Sequence, residues 1–232
     1  MEPRTLSDLE KKIGYKFKNI NLLKQAMTHS SFSNEQKIKR LANYERIEFL
    51  GDAVLELISS EYFYHAFPDQ TEGKLTKIRA SAVCEQALAI TARELELGSY
   101  LLLGRGEEAT GGRNRDSIIA DAVEATIGAI YLDSGIEQAK AFIHKFVLND
   151  LESKALFYDA KSILQEYVQN GKLGTLQYKL DKEEGPEHDK AFFVKAYLED
   201  VMIGEGIGHN KKDAEQKAAY QAILTYREKG LL

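Results

Sequence analysis

The spacing of apolar residues constrains the fold of this chain more than any other sequence feature. From Leu6 to about Leu151, apolar residues recur three and four positions apart, which is the pattern of helices that bury one face. The alternation of apolar and polar residues that marks strands is almost absent there. Residues 1–152 are therefore predicted to form an all-α domain. Its helices are predicted at residues 6–13, 20–27, 43–66, 72–80, 82–95, 116–133 and 136–147.

After about Glu152 the spacing changes, and strand patterns lie between two helical ones. A short amphipathic helix at residues 159–169 precedes three strand-like segments, and Asn210 is placed to cap a last helix that continues to about Tyr226. The strands are predicted at residues 176–180, 191–199 and 201–208. Residues 159–228 are thus predicted to form a small α+β domain in the order α-β-β-β-α, and a linker is predicted at residues 152–158.

The charge balance restricts how the chain could contact a polyanion. The formal net charge is −5, and the parts before and after the division at Phe157 carry −3 and −2. Any contact with nucleic acid must therefore come from a local cluster of lysine and arginine residues. The sequence has no apolar run long enough to span a membrane, and its first residues lack a secretory apolar segment. A cytoplasmic protein without membrane association is expected.

Two acids interrupt the most apolar helix pattern in the chain. Residues 118–132 are apolar nearly all round a helix, yet they include Asp121 and Glu124. Such a helix is normally buried, and a buried carboxylate is costly unless it is paired or bound to a metal. Because residues three apart share a helix face, the two carboxylates are expected to converge.

The helix pattern at residues 43–66 carries acids in the same way. Glu45, Glu48 and Asp52 have the spacing i, i+3 and i+7, which places them on one stripe among apolar neighbours. One interpretation is that these acids form ordinary ion pairs with bases such as Arg46 or Arg79. The other is that acids of the two helices meet at one point.

A meeting of Glu48, Asp52, Asp121 and Glu124 would form a strongly negative site of oxygen ligands only. Such ligands suit a hard cation, Mg²⁺ or Mn²⁺, and disfavour zinc. These ions serve phosphoryl chemistry by lowering the pKa of a bound water, orienting the phosphate and neutralising charge in the transition state. Hydrolysis of a phosphodiester is therefore indicated, and the number of ions stays open.

Several stretches resemble the signature of the bacterial ribonuclease III family. They are residues 43–55 (NYERIEFLGDAVL), 71–75 (TEGKL), 104–108 (GRGEE), 111–113 (GGR) and 118–125 (IIADAVEA). The resemblance implies a helical nuclease domain that forms a homodimer and cuts both strands of double-stranded RNA, leaving 5′-phosphate and 3′-hydroxyl ends. It implies metal-binding catalytic acids at Glu48, Asp52, Asp121 and Glu124, with Glu45 and Glu72 as supporting acids. Ribosomal RNA precursors are the substrates that the family implies.

The second domain resembles the double-stranded RNA-binding domain. The resemblance rests on the α-β-β-β-α order and on residues 185–188 (GPEH) and 206–215 (GIGHNKKDAE). It implies recognition of the shape of A-form RNA across two minor grooves and the phosphates between them. The implied RNA contacts are Gln165, His188, Asn210, Lys211 and Lys212, of which the lysines lie where a helix N-terminus already favours phosphate.

Two other functions are compatible with parts of the sequence. One is a non-catalytic protein that binds double-stranded RNA and uses its helical part only to dimerise. The other is a metal-dependent phosphohydrolase of small molecules, although no histidine-aspartate metal motif is present and the second domain would lack a purpose. The glycine- and arginine-rich residues 104–115 are interpreted as a connector rather than as a phosphate cradle.

Overall fold

The computed structural model describes residues 5–36, 43–149, 160–185, 190–208 and 210–231. The predicted linker at residues 152–158 and His188 lie outside these ranges. By internal contacts the chain divides into two compact units, Met1–Asn149 and Asp150–Leu232. Each unit is therefore described by itself.

The first unit is built from helices. They are α1 (Leu6–Ile13), α2 (Ile20–Ala26), α3 (Ser30–Glu35), α4 (Glu45–Ala66), α5 (Glu72–Ala82), α6 (Glu85–Glu94), α7 (Arg105–Ala109), α8 (Asp116–Ser134) and α9 (Ile136–Phe142). Short 3₁₀ helices at Leu97–Tyr100 and Gly112–Asn114 precede and follow α7, and α9 continues into a π-helical turn, Ile143–Val147. The predicted all-α domain is confirmed, and α3, α7 and the two 3₁₀ helices are additions to the predicted elements.

Local chemistry explains where the first helix begins and ends. Thr5 caps α1 in a reciprocal arrangement, since its side chain accepts the Asp8 backbone N–H and the Asp8 carboxylate accepts the Thr5 backbone N–H. Gly14 ends the helix with a positive φ of 71°, a conformation that costs glycine little. The α1 helix thus has the same bounds as predicted.

The centre of the unit is the crossing of α4 and α8. Most of the α8 side chains are buried, in keeping with its apolar sequence. The two helices approach so closely that a Cβ on Gly51 would lie 1.8 Å from the carbonyl oxygen of Glu124. A Cβ on Gly128 would lie 2.2 Å from the carbonyl oxygen of Ile47. The absence of these two side chains permits the crossing that brings the acidic stretches of both helices together.

Residues 104–115 are a structured connector whose arginines are already paired. Arg105 pairs with Glu35 and Arg115 pairs with Glu107. The guanidinium of Arg113 binds the Glu108 carboxylate and also donates to the carbonyl oxygens of Gly98 (2.7 Å) and Leu101 (2.9 Å). These interactions lie within the first unit and support the interpretation of the segment as a connector rather than a phosphate cradle.

The second unit has the order α-β-β-β-α. It comprises α10 (Ala160–Asn170), β1 (Leu176–Glu184), β2 (Ala191–Leu198), β3 (Val201–Gly208) and α11 (Lys211–Glu228). The antiparallel sheet has the order β1-β2-β3, and Leu164, Val168, Ala219, Ala222 and Ile223 are among the core residues between helices and sheet. Gly204 and Gly206 let β3 approach the backbone of α11 closely. The predicted small α+β fold is confirmed, and β1 extends four residues beyond the predicted strand.

Candidate active site

Three carboxylates meet at the crossing of α4 and α8. The side chains of Glu48, Asp121 and Glu124 each offer an oxygen, and these oxygens lie within 4.8 Å of one another. All three side chains are partly buried. The spacing of three residues on α8 puts Asp121 and Glu124 on one face, and the close approach of the helices adds Glu48. Three of the four predicted metal-binding acids are therefore adjacent.

Asp52 is exposed and is not a member of this three-carboxylate cluster. Its charge nevertheless raises the pKa of Glu48 and of Glu124, so it acts on the same site electrostatically. Asp52 lies one helical turn beyond Glu48 on α4, as the predicted stripe requires. The structure thus brings the fourth acid to the border of the cluster.

Burial and mutual repulsion raise the pKa values of the clustered acids. Burial is the main cause for Glu48, whose pKa is raised to about 7, and Asp121, Glu45 and Asp52 add to the effect. The pKa of Glu124 is raised to about 8, first by burial and then by Asp52, Asp121 and Glu48. Burial also raises the pKa of Asp121. A cation placed among these groups would relieve both causes.

The arginines that could have formed ion pairs with these acids, Arg46 and Arg79, do not neutralise the three-carboxylate cluster. Arg79 of α5 instead binds Glu56, with 2.8 Å between Nε and Oε2, and donates to the Ser60 hydroxyl at 2.7 Å. Arg46 is exposed. Across the described ranges, no ion pair joins Glu48, Asp121 or Glu124 to a lysine, arginine or histidine. The interpretation of these acids as ordinary ion pairs is therefore not supported.

The two supporting acids occupy different places. Glu45 is exposed at the start of α4, where its carboxylate accepts a hydrogen bond from the Asn43 amide at 3.2 Å, and its charge raises the pKa of Glu48. Glu72 is exposed at the start of α5 and accepts a hydrogen bond from Thr76 at 2.9 Å. Glu72 is not in the three-carboxylate cluster. Its supporting role stays a prediction.

Tyr44 is a residue of this site that the sequence analysis did not identify. It directly precedes α4, is 2% exposed, and donates its hydroxyl to Asp121 Oδ2 at 3.3 Å. Burial and the nearby carboxylates raise its pKa, so the hydroxyl stays protonated as a donor. The apolar periodicity carries no signal for such a contact, because the two residues are 77 positions apart.

Four of the five predicted RNA contacts, all except His188, lie at two places in the second unit. Gln165 is a partly exposed residue of α10. Lys211 and Lys212 are exposed in the first turn of α11, and the Asn210 side chain caps that helix by accepting the Asp213 backbone N–H at 2.9 Å. The capping role predicted for Asn210 is confirmed. Lys211 Nζ also lies 3.8 Å from Glu183 Oε1, a distance that leaves the ammonium group available to other anions.

The chain thus combines a helical domain that carries clustered carboxylates with a following α-β-β-β-α domain. Residues 19–151 match the family model described as Ribonuclease-III-like, and residues 160–226 match the double-stranded RNA binding motif. The chain belongs to the ribonuclease III family and is an endoribonuclease.

The similarity to known proteins extends over nearly the whole chain. Ribonuclease 3 of Shouchella clausii is 46% identical over 230 residues, which cover 98% of this chain and 88% of that protein. Ribonuclease 3 of Desulforamulus reducens is 49% identical over 218 residues, covering 93% of this chain and 89% of that protein. Among solved structures, the nuclease domain of ribonuclease III from Campylobacter jejuni matches with a TM-score of 0.58 and 44% identity, over 62% of this chain and 96% of that one.

Within the described part of the chain, every helix is too short or too polar to cross a bilayer.

Proposed function

We propose that the chain hydrolyses phosphodiester bonds of double-stranded RNA with the help of a divalent cation held by Glu48, Asp121 and Glu124. One observation carries the proposal: three partly buried carboxylates from two crossed helices lie within 4.8 Å of one another. Oxygen ligands alone suit Mg²⁺, and Mn²⁺ can take its place. Ribosomal RNA precursors and other structured RNAs are the proposed substrates, because recognition by shape requires duplex stems rather than a particular sequence.

The remaining acids complete the proposed site. Asp52 adds a fourth negative charge from the exposed side, where its field acts on both Glu48 and Glu124. Glu45 is proposed as a supporting acid because its charge also acts on Glu48, whose pKa it raises. The supporting role of Glu72 rests on its motif alone.

The proposed chemistry divides between the cation and the protein. When bound, the cation lowers the pKa of a water, orients the phosphate and stabilises the charge of the transition state. The protein holds the carboxylates in place through the helix crossing and keeps them apart from its own bases. Displacement of the 3′-oxygen by water leaves a 5′-phosphate and a 3′-hydroxyl.

Removal of the cation tests this function directly. We expect the protein to cut a long RNA duplex in Mg²⁺, to stop cutting in excess chelator, and to recover with added Mg²⁺ or Mn²⁺. End labelling of the products should find 5′-phosphates, and a precursor stem should lose its cleavage when its pairing is disrupted. Undiminished cleavage in chelator would reject the metal dependence, whereas duplex binding without any cleavage would favour the non-catalytic alternative.

We further propose that Gln165, His188, Asn210, Lys211 and Lys212 contact the RNA. The exposed lysines at the start of α11 support this, because backbone N–H groups and the helix dipole favour phosphate at the same position. Two lysines there would repel the positive end of the helix if no anion were bound.

Replacing both lysines with alanine should weaken duplex binding without changing the cleavage chemistry. We expect the slope of log affinity against log salt to become shallower by about two, because two phosphate contacts are lost. Lys229→Ala, at an exposed lysine after the end of α11, is the matched control. Titrations at several salt concentrations provide the measurement, and a slope equal to that of the control would contradict the assignment.

We also propose that the chain forms a homodimer through α4. Phe49, Leu57 and Tyr64 are 78%, 62% and 68% exposed. At 100° per residue they lie within an arc of about 80° on this helix, so they form one apolar stripe. The Campylobacter jejuni nuclease domain is described as having a region involved in dimer formation. A second copy that covers the stripe would remove this apolar surface from water.

Leu57→Glu should convert the protein to a monomer. Burying a charge in an apolar interface without a partner costs about 3 kcal/mol. The mass in sedimentation should fall to near 26.1 kDa at micromolar concentration, whereas the wild type should sediment at about twice the mass of one chain. Ile20→Glu changes another exposed apolar residue, on α2, and should leave the dimer intact. A wild type that already sediments as a monomer would rule out the proposal.

A further inference from the structure

Tyr44 is held rigidly beside the three-carboxylate cluster. Its backbone N–H donates to the Thr28 carbonyl oxygen at 2.9 Å, and its ring packs edge-on against His29 with 5.5 Å between ring centroids. His29 is itself fixed, because its Nδ1 accepts the Ser31 backbone N–H at 3.1 Å in capping α3. The backbone and the ring of Tyr44 therefore have little freedom to move, and its hydroxyl is directed at Asp121.

The hydroxyl of Tyr44 is aligned to orient one carboxylate. A buried hydroxyl requires a hydrogen-bond partner, and within the described ranges this partner is Asp121 Oδ2. A hydrogen bond to one oxygen of Asp121 restricts rotation of its carboxylate about the Cβ–Cγ bond. In metal sites, residues that hydrogen-bond to a metal ligand without touching the metal orient that ligand. Such residues typically contribute to both metal affinity and activity.

We propose that Tyr44 is a positioning residue that orients the Asp121 carboxylate for cation binding. The inference rests on the proposed metal-dependent function and adds a residue that does not itself touch cation or RNA. The hydroxyl rather than the ring performs this role. Tyr44→Phe removes the hydroxyl and keeps the packing against His29, so the variant isolates the hydrogen bond.

The chain offers a matched control in the same domain. Tyr15 also donates its hydroxyl to an aspartate, Asp133 Oδ2, at 2.6 Å. Asp133 is on the same helix as Asp121 but twelve residues further on, which corresponds to about 18 Å. Tyr15→Phe therefore removes a tyrosine–aspartate hydrogen bond of the same kind far from the cluster.

Calorimetric titration of Mn²⁺ into the full-length protein without RNA gives a readout that does not depend on cleavage. We expect Tyr44→Phe to weaken Mn²⁺ binding about tenfold and to raise the Mg²⁺ concentration for half-maximal cleavage by a similar factor. The rate at saturating Mg²⁺ should return to within about twofold of the wild type, and KM for the duplex should not change, since the lost contact acts through Asp121. Tyr15→Phe should leave all four quantities unchanged.

The outcomes separate this inference from the function on which it rests. Mn²⁺ affinity of Tyr44→Phe within twofold of the wild type would overturn the positioning role, and so would an equal loss in Tyr15→Phe. Asp121→Asn tests the underlying site in the same titration. If Asp121→Asn binds Mn²⁺ as the wild type does, the proposed metal site itself fails. If Asp121→Asn loses binding while Tyr44→Phe keeps it, only the inference about Tyr44 fails.

Discussion

Glu124→Gln is expected to reduce cleavage of duplex RNA by at least about a thousandfold, because it removes one of the three proposed cation ligands without changing the size of the side chain. Binding of the same duplex should persist, since the proposed RNA contacts at Gln165, Lys211 and Lys212 belong to another domain. Excess Mn²⁺ should recover part of the activity through its tighter intrinsic binding.

The measurement pairs duplex binding with cleavage in Mg²⁺ for the wild type and the variant. Glu94→Gln, at an exposed acid of α6, is a control for loss of one negative charge. Cleavage by Glu124→Gln at close to the normal rate would show that this residue does not hold the cation. Parallel loss of binding and cleavage would instead indicate damage beyond the site.

The same variant should make the metal-free protein more stable at neutral pH. The pKa of Glu124 is raised in the fold to about 8 from its ordinary value of 4.5, so ionisation is unfavourable in the folded state. The contribution of Glu124 to the stability of the wild type therefore falls as pH rises from about 4.5 to 8, whereas glutamine has no charge to lose or gain. We expect a gain of at least about 1 kcal/mol at pH 8 in chelator. Urea unfolding at pH 4.5 and 8 measures the difference.

Gly128→Ala is expected to produce the second large effect, on stability and activity together. Its Cβ would lie 2.2 Å from the Ile47 carbonyl oxygen, closer than real Cβ contacts, so α4 and α8 must move apart. Overpacking of this kind typically costs about 1–3 kcal/mol, and sometimes more. A shift of about 1 Å between Glu48 and the acids of α8 would reduce cleavage about a hundredfold.

Gly106→Ala provides the matched control for this substitution. Gly106 also lies in a helix, α7, but a Cβ there meets nothing within 4 Å. This control should keep its activity, and its unfolding free energy should stay equal or rise slightly because alanine favours helix. Thermal unfolding and cleavage rates provide the comparison. If Gly128→Ala behaves like Gly106→Ala, close approach of the helices does not set the site.

Long elements could be predicted from the sequence because many residues contribute to each pattern. The periodicity placed α1 with its observed bounds and put the starts of α5, α8 and β3 where the structure has them. It could not find α3 or α7, because six and five residues are too few to establish a period. The π-helical turn after α9 was likewise hidden, since one widened turn hardly alters the apolar spacing.

The candidate site was predictable in its acids but not in its surroundings. Acids on apolar helices are anomalous in sequence, so Glu48, Asp121 and Glu124 could be identified from spacing and the cost of burial. A glycine in a helical sequence pattern does not indicate which helix packs against it. The roles of Gly51 and Gly128 could therefore be recognised only from the observed crossing of α4 and α8. Tyr44 could not be found for the same reason, because only the folded chain brings it to Asp121.

A lysine at position 113 would keep the positive charge of Arg113 but not its contacts. The planar guanidinium of Arg113 reaches the carbonyl oxygens of Gly98 and Leu101 and the carboxylate of Glu108 at the same time. A lysine would keep the positive charge but would present donors from a single nitrogen, and that nitrogen cannot span the three acceptors. The contacts of Arg113 in the segment that leads into α8 therefore depend on the flat, forked shape of its side chain as well as on its charge.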